Sequence, residues 1–263
     1  MVTSPMAKLH LLVLAATLLQ AQLAMAQTAS PRAAAIGELV LANHILANEG
    51  VLDAYGHVSL RDPANPDRFL MSRSMAAGTV AAADILEYDL DGNPVAKNAP
   101  AGFSERFIHS EIYRARPDVM AVIHCHSPEL VPFSVSSVPL MPVAHLAGFL
   151  GGGVPVFEIR DAAGASTDML IRDPALGKAL AAMLGKRAAT LMRGHGAAVV
   201  GESLHVVVGR AYYMNLNARL QWQAIQLGGK ITYLNADEAR LTSAQDGYER
   251  AWALWKQRAT ARR

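Results

Sequence analysis

The sequence has very little cysteine and little charge. Its single cysteine among 263 residues excludes a disulfide bond within the chain. Charged residues make up only 17%, and the net charge of +2 comes from both signs spread along the chain, so no nucleic-acid-binding surface is indicated. Hydrophobic residues reach 52%, which is ample material for a packed core and argues against disorder.

Residues 1–26 have the pattern of a secretory signal peptide. Lys8 supplies a positive charge, Leu11–Leu19 is a short apolar stretch, and Ala24–Ala26 fits an A-x-A cleavage site. The apolar stretch is too short, and too closely followed by glutamines, for a stable membrane anchor. We therefore expect residues 27–263 to form one domain with a C-terminal helical tail. We expect this mature protein to be periplasmic or secreted.

The most informative motif is His124-Cys125-His126, which follows the apolar run Val119–Ile123. The run is short and β-branched, which predicts a buried strand. Side chains at i and i+2 share one face of a strand, so the two imidazoles should converge and the cysteine should point away into the core. Two convergent imidazoles are half of a transition-metal site. The alternative is a pair of histidines that meets solvent at a strand end.

Two further segments carry polar residues beside predicted strands. Upstream, Ser104 is the predicted N-cap of a helix that stops at Pro117, which places Glu105 in the first turn of the helix leading into the strand. Downstream, His195 lies between two glycines and between two apolar runs. A histidine with such neighbours can bring its backbone and its imidazole close to a bound ion.

Over roughly residues 36–227 these segments resemble the class II aldolase/adducin family. The signature pieces occur in the family's order: Gly56-His57-Val58-Ser59, Ser72-Arg73-Ser74, Ser104-Glu105, His124-Cys125-His126 and Gly194-His195-Gly196. The resemblance implies an α/β fold of three αβα layers around a largely antiparallel central sheet. The predicted mixture of strands, hairpins and helices agrees with that class. The resemblance also implies a homotetramer with active sites between subunits.

By the same resemblance, His124, His126 and His195 would bind a divalent metal. Glu105 would be the catalytic acid/base and a further metal ligand. Three imidazoles and a carboxylate suit zinc best, with manganese, cobalt and iron left open. Such an ion can act as a Lewis acid on a substrate oxygen while the carboxylate moves the proton.

The chain departs from the sugar-phosphate aldolases of this family at two phosphate-binding positions. His57 stands where those enzymes have asparagine, and Phe103 replaces a serine. Both changes weaken a phosphate site. Arg73 is a candidate for holding a carboxylate through its planar guanidinium, the alternative being an ordinary surface arginine. His57, Phe103 and His145 are also candidates for lining the substrate pocket, and for the two histidines the alternative is a structural role.

The subfamily resemblance is to bacterial decarboxylases of hydroxy acids. We therefore predict a metal-dependent carbon–carbon lyase that acts on a small molecule through a metal-stabilised enolate. The predicted reaction is decarboxylation of a non-phosphorylated hydroxy or oxo di-acid. Two alternatives remain open: a class II aldolase or epimerase on a sugar-like substrate, and a non-catalytic binding module of adducin type.

The long helix predicted over Leu204–Gln226 indicates a homo-oligomer. It is rich in apolar and aromatic side chains, more than a helix on a small monomer needs to bury. Those side chains are Val206, Val207, Val208, Tyr212, Tyr213 and Trp222.

Export makes a direct prediction about the N-terminus of the native protein. N-terminal sequencing should begin at or near Gln27, because the A-x-A site ends at Ala26. Recovery of protein from the cytosol with Met1 intact would refute the prediction and support the alternative, an uncleaved start.

Overall fold

The computed structural model of the protein describes residues 30–243 and 247–261, so the predicted signal peptide lies outside the described residues. The strands are β1 (His57–Arg61), β2 (Arg68–Ser72), β3 (Ile85–Asp89), β4 (Ala121–Cys125), β5 (Val156–Phe157), β6 (Ala189–Met192) and β7 (Gly196–Gly201). The α-helices are α1 (Pro31–Asn48), α2 (Arg106–Ala115), α3 (Val131–Val135), α4 (Arg160–Ala163), α5 (Pro174–Leu184), α6 (Leu204–Leu227), α7 (Ala236–Ser243) and α8 (Glu249–Ala261).

The strands form a seven-stranded sheet in the order β3-β2-β1-β4-β7-β6-β5. All neighbours pair antiparallel except β5 and β6, which pair in parallel. The largely antiparallel sheet expected from the resemblance is therefore confirmed. The register sets His57 of β1 directly beside His124 of β4, so the two central strands bring these histidines together.

Alternating strand residues divide the core into two layers. Val58, Leu70 and Ile123 pack with α1, α6 and α8 on one face of the sheet. Phe69 and Val122 pack with α2 and α5 on the other face. Since strand side chains alternate between faces, helices cover both sides, and the predicted three-layer arrangement is confirmed.

The helix before β4 is held firmly in place because α5 packs closely against it. A Cβ on Gly177 of α5 would lie 2.4 Å from the carbonyl oxygen of Phe107 in α2, so only glycine allows this approach. The helix begins slightly later than the sequence predicted. Glu105, not Ser104, occupies the N-cap position, and no side chain caps the helix there.

The longest helix, α6, is capped at its start by Ser203, whose hydroxyl accepts from the Val206 amide at 3.1 Å. It ends before Gly228, which has a φ of 73°. Within residues 30–243 and 247–261, no helix combines the length and the apolar character needed to cross a bilayer.

Candidate metal centre

Four side chains predicted as metal ligands come together at one end of the sheet. Glu105, His124, His126 and His195 each offer a ligand atom, and these atoms all lie within 4.8 Å of one another. The Nε2 atoms of His124 and His126 are 3.0 Å apart, and those of His126 and His195 are 3.1 Å apart. Oε2 of Glu105 lies 3.5 Å from Nε2 of both His124 and His195.

In each imidazole of the cluster, Nε2 is the inner nitrogen, which faces the other rings, and Nδ1 is the outer nitrogen. Each outer nitrogen lies near an oxygen that can accept a hydrogen bond. Nδ1 of His124 lies 3.1 Å from the Ala197 carbonyl oxygen, and Nδ1 of His195 lies 2.9 Å from that of Met169. Nδ1 of His126 lies 3.2 Å from a carboxylate oxygen of Asp53. Carbonyl and carboxylate oxygens only accept, so each ring carries its proton on Nδ1.

The inner nitrogens of the three rings therefore all present lone pairs to one point. Lone pairs at these separations repel each other. A cation held between them would be coordinated by all three and would remove this repulsion. Metal-binding histidines in general donate their outer N–H to a carbonyl or a carboxylate in this way. The donor set fits a divalent ion bound by His124, His126 and His195, with Glu105 beside it.

The carboxylate of Glu105 is only 6% exposed and is anchored from one side. Its Oε1 accepts from the Ile171 amide at 2.9 Å, which leaves Oε2 facing the imidazoles. Burial by itself would raise the pKa of Glu105, but positive charge on the side of His124 and His195 outweighs burial and holds the pKa well below its ordinary value.

One short segment, residues 167–171, positions two of the four groups. The Met169 carbonyl accepts from His195, and the Ile171 amide donates to Glu105. Met169 has a φ of 68°, a left-handed conformation that costs a side-chain-bearing residue about 1 kcal/mol. The fold tolerates this strain where the carbonyl must turn toward His195.

The glycines on either side of His195 serve different purposes. Gly194 has a φ of 61°, which lets the turn between β6 and β7 close tightly. A Cβ on Gly196 would lie 1.9 Å from the Cys125 carbonyl oxygen. Glycine at this position therefore lets β7 approach the end of β4 more closely than a residue with a side chain could.

A pocket of about 440 Å³ opens beside the cluster. Its lining residues are Ala54, Tyr55, His57, Ser74, Met75, Phe103, Ser104, Glu105, His126 and Leu170. Two of the predicted substrate-binding residues, His57 and Phe103, are among them, and their rings lie 4.4 Å apart between centroids. No lysine or arginine lines this pocket within the described part of the chain.

The other two predicted substrate-binding residues lie elsewhere. Nε of Arg73 donates to Asp84 at 2.7 Å, because the chain returns to this edge of the sheet before β3. His145 is exposed at the start of a 3-10 segment that runs to Leu150. Neither residue lines the pocket. Their substrate contacts stay predictions that this geometry does not support.

The cysteine between the two histidines points into the opposite core layer, as strand alternation predicts. Burial raises the pKa of the Cys125 thiol to about 11. The thiol is therefore neutral and inert, and it serves in packing.

Sequence reasoning missed Asp53 and His109. Asp53 also accepts from the amides of Tyr55 and Gly56, both at 2.8 Å. The turn sequence Asp53-Ala54-Tyr55-Gly56, just before His57, could have indicated that Asp53 is held in a fixed position. His109 is buried against His57 at 2.7 Å between ring nitrogens. Its signal was a second polar side chain, Tyr113, one helical turn further along the same face.

Fold and cluster together define a metal-dependent α/β enzyme built on three histidines and a glutamate. Residues 37–222 match the family described as Class II Aldolase and Adducin N-terminal domain, and the chain belongs to this family. Family membership and the histidine–glutamate cluster both indicate a divalent metal.

Two curated relatives that the chain resembles are decarboxylases. The chain is 39% identical to Decarboxylase tropJ of Talaromyces stipitatus, over 81% of this chain and 89% of that protein. It is 32% identical to the 3,4-dihydroxyphthalate decarboxylase of Arthrobacter keyseri, over 82% and 90%. These likenesses and the catalytic cluster show an enzyme, a metal-dependent lyase of the decarboxylase or aldolase type.

The fold is also that of a solved aldolase. The structure of L-fuculose 1-phosphate aldolase from Glaciozyma antarctica PI12 superposes with a TM-score of 0.69 and 23% identity. The alignment covers 89% of this chain and 93% of that chain.

The geometry predicts that purified protein holds near-stoichiometric divalent metal. His124→Ala should lose the ion, because one of three imidazole ligands disappears. Asp53→Asn keeps the acceptor for the neighbouring amides but removes the charge behind His126. Its metal affinity should therefore fall by roughly 10–100-fold, the usual effect of losing an outer partner. Elemental analysis and competition with a chelator measure both effects.

His205→Ala is the matched control, because that histidine lies on α6 and contacts Glu38 and Glu249 rather than the cluster. Its metal content should equal that of the wild type. A metal-free wild type with full activity would contradict the assignment.

Proposed function

We propose that the protein decarboxylates a non-phosphorylated hydroxy or oxo di-acid. Within that class, we propose that the substrate is an aromatic hydroxy di-acid. The observation that carries the proposal is the position of Glu105. Its carboxylate lies beside the imidazole cluster and lines a pocket that has no lysine or arginine among the residues the structure describes. A phosphate group needs strong positive charge or several amide donors, and carbon chemistry beside a metal needs an acid/base.

The pocket lining suits a flat ring. Phe103, Met75 and Leu170 supply apolar walls, and Ser74 and Ser104 supply hydroxyl groups. A lining that is mainly apolar with a few placed polar groups is typical of small-molecule sites. Two relatives are decarboxylases, and one of them is named for 3,4-dihydroxyphthalate, an aromatic hydroxy di-acid, which supports the same substrate class.

A divalent ion held by the three histidines would supply Lewis-acid charge where negative charge develops on a substrate oxygen. We place the ring against Phe103 and Leu170, with the carboxylate that is lost near Glu105. Oε2 of Glu105 takes the proton of the hydroxyl beside that carboxylate. Glu105 delivers this proton to the ring carbon that bears the carboxylate, which becomes tetrahedral while the oxygen becomes a carbonyl. The carbon–carbon bond then breaks, carbon dioxide leaves, and the electron pair passes through the ring to that oxygen. Glu105 ends as it began, as a carboxylate, so atoms and charge balance.

Zinc is the metal we propose, because three imidazoles and a carboxylate form a ligand set that zinc prefers. Export is also part of the proposal. The sequence pattern of residues 1–26 supports it. An exported enzyme meets few sugar phosphates, which agrees with a substrate that carries no phosphate.

The reaction is tested by carbon dioxide release from hydroxylated aromatic di-acids, with 3,4-dihydroxyphthalate among them. Glu105→Gln should retain most of the metal, because three imidazoles remain, and lower turnover by roughly 10²–10⁴, the range for losing a positioned acid/base. Metal content is measured on the same samples. The aldolase alternative would win if a phosphorylated ketose were cleaved efficiently and no acid released carbon dioxide.

We further propose that the protein is a homo-oligomer, with the tetramer of the family as the expected form. Most of the side chains that suggested this in the sequence are used within the chain. Val206–Val208 are buried, and Tyr212 and Tyr213 pack against Trp255 of α8. The support now comes from the other end of α6.

The C-terminal half of α6 exposes apolar side chains next to an apolar cleft. Trp222 is 53% exposed and Leu227 is 88% exposed. Trp222 borders a cleft of about 300 Å³ that it shares with Pro128, Pro132 and Phe133. A surface of this kind is typical of a subunit contact.

Light scattering at micromolar concentration should therefore give a multiple of the chain mass. Trp222→Glu should lower the assembled fraction, because it places a charge on the apolar surface. Arg187→Glu, on the turn after α5, is the control and should leave the mass unchanged. A wild-type protein that is monomeric at this concentration would contradict the proposal.

A further inference from the structure

A chain of buried hydrogen bonds runs from the substrate pocket into the core behind it. Nδ1 of His57 lies 2.7 Å from Nε2 of His109. Nδ1 of His109 lies 2.6 Å from Oγ of Ser59, and that Oγ lies 2.8 Å from the hydroxyl of Tyr113. All four residues are at most 1% exposed.

The chain is built by matching the repeats of a strand and a helix. His57 and Ser59 are two residues apart on β1 and share a face, a step of roughly 6.7 Å. His109 and Tyr113 are four residues apart on α2, a step of roughly 6 Å. Because the steps are nearly equal, the two pairs interleave into one line.

The inner end of the chain fixes its direction. The Tyr113 hydroxyl has two acceptors in reach: Ser59 Oγ at 2.8 Å and the Met120 carbonyl at 3.4 Å. That carbonyl already accepts from the Arg61 amide at 2.7 Å. A hydroxyl donates best at 2.5–3.0 Å, so the tyrosine proton points to Ser59. Burial raises the pKa of Tyr113, which keeps this proton in place.

The direction then passes outward along the chain. Ser59 accepts from Tyr113 and so donates to Nδ1 of His109. The proton of His109 must lie on Nε2, from which it is donated to Nδ1 of His57. Burial lowers the pKa of His109 to about 3, so the ring stays neutral and carries one proton only. His57 is left with its proton on Nε2.

Nδ1 of His57 is taken by His109 in the core, and the residue lines the pocket beside Phe103 and Glu105. Nε2 is therefore the ring nitrogen left for the pocket. The ring is also held in place by the contact with Phe103 at 4.4 Å between centroids. The protein therefore presents a fixed, uncharged N–H donor to the substrate.

We propose that His57 donates this hydrogen bond to the surviving carboxylate of the di-acid, and that His109 is the positioning residue that fixes the donor. The inference rests on the proposed function for the substrate and on the hydrogen-bond chain for the donor. It gives His57 the role that the sequence suggested for Arg73, which is paired with Asp84.

The donor is tested without turnover, on zinc-loaded protein carrying ¹⁵N-labelled histidine. Nuclear magnetic resonance distinguishes the two neutral imidazole tautomers by their nitrogen shifts. His57 and His109 should both carry the proton on Nε2, whereas His124, His126 and His195 should carry it on Nδ1. A proton on Nδ1 of His57 or His109 would overturn the inference whatever the enzyme's reaction is.

The positioning role is tested with two variants of one residue. His109→Leu removes the donor to His57, and His109→Gln keeps an N–H in its place. With 3,4-dihydroxyphthalate, the leucine variant should lose roughly 10–100-fold in kcat/KM, as expected for one hydrogen bond to a charged group. The glutamine variant should recover most of this loss. The control is Ser110→Ala, because Ser110 is buried on the same helix but takes no part in the chain of hydrogen bonds.

The carboxylate contact is tested with 2,3-dihydroxybenzoate, which keeps the reacting carboxyl beside a hydroxyl and lacks the second carboxylate. The leucine variant should act on it nearly as well as the wild type does. An equal loss on both acids, or no rescue by glutamine, would overturn the contact. Should neither acid react with the wild type, the proposed function fails while the tautomer measurement still decides the donor.

Discussion

The three inner imidazole nitrogens of this protein point at one another, and the rest of the site exists to keep them there. Each outer nitrogen donates to an acceptor that has no proton to give back: Asp53, the Met169 carbonyl or the Ala197 carbonyl. The arrangement is unfavourable without a cation and favourable with one. The folded protein therefore has a metal site whose ligands are preorganised before the metal binds.

The fold supplies that geometry from four places in the chain. The register of β1 against β4 brings His57, which lines the pocket, beside His124 of the cluster. The tight turn before β7 and the strained segment at Met169 bring His195 and Glu105 to the same point. On the far side of His57, α2 supplies an uncharged line of hydrogen bonds. Rigid elements thus hold the metal cluster and His57 side by side, with the ring centroids of His57 and His124 5.1 Å apart.

Local periodicity explains which parts of the site the sequence could predict. Strand alternation at His124 and His126 is a local signal, and it predicted two converging imidazoles. The full set with His195 and Glu105 came from the family resemblance. The pairing of His126 with Asp53 and of His195 with the Met169 carbonyl was not predicted. A turn motif indicates that Asp53 caps its own loop, but not which distant side chain it meets. Arg73 lies in a loop that the sequence predicted. Its ion pair with Asp84 forms because the chain comes back to the same edge of the sheet before β3, and no sequence motif indicates that course. The layers of the fold came from the family resemblance rather than from periodicity.

The central claim is that a divalent ion sits among three imidazoles through their Nε2 atoms with a carboxylate beside it. X-ray absorption at the metal edge of the purified protein tests this claim most directly. The account predicts three nitrogen scatterers and at least one oxygen, all at about 2.0–2.2 Å. Replacement of His195 should remove one nitrogen from that shell. A metal surrounded by oxygen alone, or a shell unchanged by the replacement, would contradict the account.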